Sequence, residues 1–205
     1  MFLSRIRLNT SLRKTQLAMA SPNIFHGAIE RAFDVKQVRN LWRIDKLMGQ
    51  YFLLIVSKEK PNLDIIIDQF GYVGEKGETK EYDNFINRIC ENQQWRFRLV
   101  ANPTRTLRRE GKRGKIVAHT SPKFQLAWLE NKAIQNGFKL YDAYVLENRW
   151  KIFKKNSEQS KVKVKEVVFE GILSVDNVEL FRKALIEGIG RGKVYGMGML
   201  TIVSV

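Results

Sequence analysis

The chain has a single cysteine, Cys90, among its 205 residues. One thiol excludes an internal disulfide and any zinc site built from several cysteines. No apolar run approaches the roughly eighteen residues of a membrane span. Residues 1–8 alternate like a strand and lack the apolar centre of a signal peptide. These absences predict a soluble cytoplasmic protein with no membrane partner. Metal and hydrolase signatures are missing as well: there is no HExxH, no paired DxD and no GxSxG elbow. Neither a metal nor a cofactor is therefore expected. Histidine is scarce, with only His26 and His119. Acidic residues are outnumbered, 21 Asp and Glu against 36 Lys and Arg, which leaves a net charge of +15. Such an excess attracts polyanions; it is evidence about partners and not about fold.

Glycine, by contrast, is concentrated. Gly188, Gly190, Gly192, Gly196 and Gly198 fall within eleven positions, with Arg191 and Lys193 between them. Glycine permits positive φ and close backbone approach, and successive N–H groups in such a loop form an anion-binding concavity. A mononucleotide P-loop or a Rossmann turn follows a strand and opens a helix. Here a helical stretch precedes the glycines and an apolar strand-like run follows them. That order suits a clamp on a nucleic-acid backbone better than a nucleotide pocket. A helix C-cap and a tight turn would explain one or two of the glycines, but not all of them.

Periodicity gives the frame. Residues 2–8 alternate as a strand. Residues 22–33 place Phe25, Ala28, Ile29, Ala32 and Phe33 at helical spacing, with Ser21 as N-cap and Pro22 at the first helical position. Strands are predicted at 41–47 and 50–57, a helix at 62–70 and a strand at 79–84. The second half repeats the order: a strand at 95–101, a helix at 122–136, strands at 138–146 and 162–175, a helix at 176–187 capped by Asp176, and a closing strand at 199–203. Each half reads β-α-β-β-α-β, so the expected fold is α+β with two tandem ferredoxin-like (RRM-like) domains, residues 1–92 and 93–205. No residue-level repeat links the halves, and no RNP1-type octapeptide marks a base-stacking sheet.

Two basic segments stand out. Arg105, Arg108, Arg109, Lys112, Arg113 and Lys115 crowd a stretch read as a loop. Lys151, Lys154, Lys155, Lys161, Lys163 and Lys165 crowd a second, read as a connection between strands. Each alone would pass for a solvated surface; with the glycine loop they form a cationic track. Of the histidines, His26 lies at the margin of the helical apolar stripe with Glu30 one turn on, placed for proton transfer or simply at a boundary. His119 precedes a helix start, where the dipole disfavours its charge. If the protein cuts RNA, the substrate's own 2′-hydroxyl can serve as nucleophile, and the protein need only move protons and align the strand.

The residues then match a known pattern. The 1–8 strand, the Phe25-His26 helix, the stretches 41–45, 97–103, 125–129 and 168–173, and the terminal glycine loop, in this order, resemble the CasE (Cse3) family of CRISPR repeat-RNA endoribonucleases. The resemblance implies tandem ferredoxin-like domains. It implies metal-independent cleavage at the base of the repeat stem-loop, leaving a 5′-hydroxyl and a 2′,3′-cyclic phosphate. The implied partners are the CRISPR repeat RNA, the mature crRNA and the other subunits of the type I-E surveillance complex. His26 matches the family's catalytic histidine. Asn23 stands where members often carry tyrosine, and Arg31 matches a basic residue five positions after the histidine, well around an ideal helix from it. Gly190, Arg191, Gly192 and Lys193 correspond to the RNA-contacting loop. A non-catalytic subunit that only holds the stem-loop, and a structural RNA-binding protein of ribosomal type, are the alternative readings.

Overall fold

Alternation along the first strand separates two faces. In the computed structural model, which describes residues 1–34, 40–154 and 161–205, β1 (Phe2–Leu8) buries Ser4, Ile6 and Leu8. Two helices follow, α1 (Arg13–Ala20) and α2 (Asn23–Arg31). β2 (Leu41–Leu47) and β3 (Gln50–Ser57) are joined through Met48 and Gly49, at φ 48° and 78°, the left-handed pair that a two-residue hairpin requires. α3 (Asp64–Phe70), β4 (Glu78–Glu81) and the single turn α4 (Asp83–Ile86) complete this half. Its sheet runs β2-β3-β1-β4 with antiparallel neighbours. Phe25, Ala28 and Ile29 of α2 pack with Trp42, Leu53, Ile55, Ile66 and Phe70 in the core. Each large apolar side chain buried there stabilises by roughly 1.5–3 kcal/mol.

The second half comprises β5 (Gln94–Ala101), β6 (Thr104–Arg109), β7 (Lys112–Ala118), α5 (Pro122–Gln135), β8 (Phe138–Lys154), β9 (Lys161–Val175), α6 (Val178–Glu187) and β10 (Leu200–Ser204). Its main sheet runs β10-β5-β9-β8, and β6 and β7 form a separate two-stranded ribbon. With the ribbon set aside, both sheets have the same order: fourth strand, first, third, second. The fold is two tandem ferredoxin-like units, as the sequence predicts. By packing, one unit comprises Met1–Arg88 with the segments Phe153–Lys161 and Lys193–Gly196, and the other comprises Ile89–Ile152, Val162–Gly192 and Met197–Val205. No described helix is long and apolar enough to cross a membrane.

Several local expectations are corrected. The cation-rich stretch 104–115 is not a loop but most of the β6–β7 ribbon, with Thr104 opposite Ala118 and Arg109 opposite Lys112. Gly111, at φ 65°, lets the chain reverse there. The strand predicted at 138–146 runs on to Lys154, so Lys151 and Lys154 are strand residues and not a connection. Lys155 lies outside the described residues. The cap of α6 is Asn177, whose side chain accepts from the Leu180 N–H; Asp176 instead pairs with Lys139. At the start of α2, the Ser21 hydroxyl donates to Asn23 Oδ1 at 2.9 Å and does not cap the helix backbone. The helix α1 carries no apolar stripe that would announce it in the sequence.

Candidate active site

The site is organised by α2. Its apolar stripe anchors the helix: the Phe25 ring meets Trp42 at 5.9 Å and Phe70 at 4.8 Å between centroids. His26 follows Phe25 at the edge of that stripe, with 32% of its side chain exposed and Nε2 3.2 Å from Glu30 Oε1. A partner on Nε2 fixes the ring's orientation and favours the tautomer with the proton on Nε2, which leaves the Nδ1 lone pair as the acceptor. Asn23 sits one turn earlier, tied to Ser21. Arg31 donates from Nη2 to Gln69 Oε1 of α3 at 3.0 Å. Its other terminal nitrogen lies over Gly27, 3.7 Å from where a Cβ would stand. The guanidinium is thus drawn back beside the residue following His26.

The glycine loop reaches the same helix. Its Lys193–Tyr195 segment forms a single 3₁₀ turn that packs on α2 and β2. Gly196 closes the turn at φ 78°, and a Cβ there would come within 2.7 Å of the Trp42 ring; only glycine fits both the conformation and the space. The other four glycines also take positive φ. A Cβ added at Gly190 would come within 3.0 Å of the Trp128 ring, and one at Gly192 within 3.1 Å of Met197 Sδ. The conformation of the loop therefore requires glycine at both positions before any ligand is considered. Arg191 is held by a backbone bridge to Asn102. The first unit thus brings together His26, Asn23, Arg31 and Lys193, while Gly190, Arg191 and Gly192 belong to the second.

The predicted cations fall on two extensions. Arg105, Arg108 and Lys115 are exposed on the β6–β7 ribbon, and among the described residues none of them pairs with a carboxylate. Arg109, Lys112 and Arg113 are strand residues of the same ribbon whose side chains lie outside the described set. The ribbon is anchored at its base, where the His119 N–H donates to Pro103 O at 2.9 Å and Gln125 Nε2 donates to His119 O at 2.9 Å. Burial lowers the His119 pKa, and the Arg105 charge lowers it further. On the long arm of β8 and β9, Lys161 is exposed, and Lys163 and Lys165 place Nζ 4.4 and 4.9 Å from the Trp150 ring centre. Glu166, buried beside them, receives Arg149 Nε at 2.6 Å and Lys151 Nζ at 3.0 Å. Its burial alone would raise the carboxyl pKa, but Lys151 and Arg149 outweigh that and hold it below the ordinary value. Glu166, Gln69, Phe153 and Tyr195 were not singled out from the sequence. Of these, only Tyr195 had a local signal, its place inside the glycine loop.

Comparison with known proteins places the chain among CRISPR-associated proteins. A family model described as CRISPR associated protein matches residues 1–203. The CRISPR-associated endoribonuclease Cse3 of Thermus thermophilus is 28% identical over 218 residues, covering 98% of this chain and 99% of its own length. The CRISPR system Cascade subunit CasE of Escherichia coli is 29% identical over 114 residues, 52% of this chain and 56% of that protein. Among solved structures, the CRISPR endoribonuclease Cse3 bound to a 19-nucleotide RNA superposes with a TM-score of 0.81 at 27% identity, covering 99% of this chain and all of that one.

Proposed function

The chain belongs to the CasE (Cse3) family of CRISPR-associated proteins, and from that membership we propose that it is a cytoplasmic endoribonuclease that processes CRISPR precursor RNA. It cuts at the base of each repeat stem-loop, needs no metal, and keeps the product as a subunit of a type I-E surveillance complex. The observation that carries this reading is His26, one-third exposed at the edge of α2, paired with Glu30 and lying on the helix against which the Lys193–Tyr195 turn packs.

The chemistry follows from that geometry. With Nε2 directed at Glu30, Nδ1 of His26 takes the proton of the 2′-hydroxyl next to the scissile phosphate. The O2′–P bond forms as the P–O5′ bond breaks, giving a 2′,3′-cyclic phosphate and a 5′-hydroxyl. Lys193 and Arg31 offset the charge gathering on the phosphorane oxygens, and Asn23, an amide that cannot exchange a proton at neutral pH, can only orient. Arg105, Arg108 and Lys115 of the ribbon, which have no carboxylate partner among the described residues, hold the stem. Likeness to an endoribonuclease solved with RNA supports the substrate class, and likeness to a Cascade subunit supports retention in a complex. The test is end-labelled repeat RNA incubated with the protein in EDTA. The expected result is one cut with a cyclic phosphate end, abolished by a single 2′-deoxy substitution at the cleavage position. A shifted but intact band would instead identify a pure RNA binder.

A further inference from the structure

Cleavage by 2′-hydroxyl attack needs two proton transfers, one from the nucleophile and one to the departing 5′-oxygen. On α2, only His26 is free for either: Asn23 is an amide, Arg31 never gives up its proton, and Glu30 is engaged with His26. An element packed on that helix is the place to look for a second group. In this unit the described elements that pack on it include α1, α3, the core strands β2 and β3, and the Lys193–Tyr195 turn. The turn brings a tyrosine. Its ring stands edge-on to Phe153, 4.9 Å between centroids at 69°, and is only partly buried. Gly196, the next residue, seats on Trp42, and Trp42 packs on Phe25, the neighbour of His26. The backbone at Gly196, seated on Trp42, and the packing of the turn on α2 therefore tie Tyr195 to the histidine helix.

We propose that Tyr195 is a second catalytic residue of this site, whose phenol donates its proton to the 5′-oxygen as the P–O5′ bond breaks. The proposal rests on the ribonuclease reading above. A phenol carries its proton at neutral pH and is both donor and acceptor. The 2′-hydroxyl proton goes to His26, the Tyr195 proton goes to the leaving oxygen, and exchange with water restores both groups after product forms. Lys193, two residues earlier, cannot replace it in this account: it acts as a cation on the non-bridging oxygens.

Tyr195→Phe separates this role from a structural one, because phenylalanine keeps the edge-on contact with Phe153 and loses only the hydroxyl. The expected result is single-turnover cleavage slowed by roughly 10²-fold or more, with stem-loop affinity and melting temperature unchanged. A substrate with sulfur in place of the bridging 5′-oxygen has a leaving group that needs no proton. On it, Tyr195→Phe should cut at close to the wild-type rate, while His26→Ala should stay inactive. Tyr195→Phe cutting the ordinary RNA at the wild-type rate would overturn the proposal, as would a defect that the sulfur substrate fails to relieve. Either failure leaves the nuclease reading standing if wild type cuts and His26→Ala does not. Intact RNA with wild type, or normal cutting by His26→Ala, removes that reading and this one together.

Discussion

The first sheet and the β6–β7 ribbon both carry arginines, but they use them differently. Arg5 pairs with Glu78 and Arg7 with Glu75, each at 2.7 Å, and Arg43 is buried against Asp45 at 2.6 Å. Arg5 and Arg7 also lie over the Phe52 and Tyr72 rings, at 5.1 and 4.3 Å. On the ribbon, Arg105, Arg108 and Lys115 have no carboxylate partner among the described residues. The net charge of +15 is thus not spread evenly over the protein's work. Arg5, Arg7 and Arg43 of the first sheet are spent internally, whereas Arg105, Arg108 and Lys115 of the ribbon are exposed without a carboxylate partner among the described residues. The common strand order of the two units makes the contrast informative: one unit carries His26 on α2, and the other carries the cation-rich ribbon.

The largest expected effect tests whether chemistry and binding are separable in this way. His26→Ala should reduce single-turnover cleavage by roughly 10²–10⁴-fold while stem-loop affinity stays within about twofold, because the imidazole contributes proton transfer and few phosphate contacts. Cleavage and filter-binding assays on the same preparation check both. A large loss of affinity would show that α2 also binds, and the contrast would blur. Next in size is the ribbon. Replacing Arg105, Arg108 and Lys115 together by Gln should flatten the dependence of log K on log salt by about 2–3, at roughly 0.7–0.9 per lost phosphate contact. Binding titrations from low to moderate salt measure this. An unchanged slope would place the RNA elsewhere.

How much of this was legible follows from where the signals lie. α2 was readable because Phe25, Ala28 and Ile29 repeat at helical spacing and become its buried face. α1 was not, because its buried residues are Thr15 and Ala18, which form no apolar stripe. The ribbon reads as a loop in the sequence for a related reason. Arg105 stands opposite Val117 and Leu107 opposite Lys115, so cations and apolar residues share a face, and hydrophobic alternation cannot report a strand that contributes little to a core. The terminal glycines announced their conformation by residue type, and all five take positive φ. What they pack on, Trp128 and Trp42, lies 62 and 154 residues upstream of Gly190 and Gly196, beyond any local pattern. His26 was placed correctly at the margin of its helix by the wheel alone. The Lys193–Tyr195 turn beside that helix is a tertiary fact that no sequence window contains.

Glu166 tests the arm of β8 and β9, where cations are partly compensated. Its carboxylate gathers Arg149 and Lys151 while nearly buried, and its side chain is 6% exposed. Glu166→Gln should destabilise the fold by roughly 1–3 kcal/mol at neutral pH, since two cations lose a charged acceptor. The folded pKa lies below the ordinary 4.5. The stabilisation is therefore complete above about that pH and is lost as pH falls through the folded value. Urea unfolding at pH 7 and in acid should show the gap between wild type and variant narrowing in acid. A gap that is the same at both pH values would mean the pair contributes through packing and not charge.

The smallest effect is the sharpest check on the contrast. Arg7 is a half-exposed cation of the first sheet, with 34% of its side chain accessible against 40% for Glu75. An ion pair this exposed contributes little, and its stacking on Tyr72 adds a similar amount, so Arg7→Gln should cost about 1 kcal/mol of stability. Its effect on RNA should be nil. The charge it removes is already neutralised by Glu75, so no phosphate takes its place and no counterion is released on binding. The salt dependence of stem-loop affinity should match wild type within error, in contrast to the ribbon variant. A slope flattened by about one unit would show that RNA displaces Glu75 from Arg7 on binding. The first sheet would then be part of the binding surface, and cation pairing in the free protein would no longer separate structural arginines from binding ones.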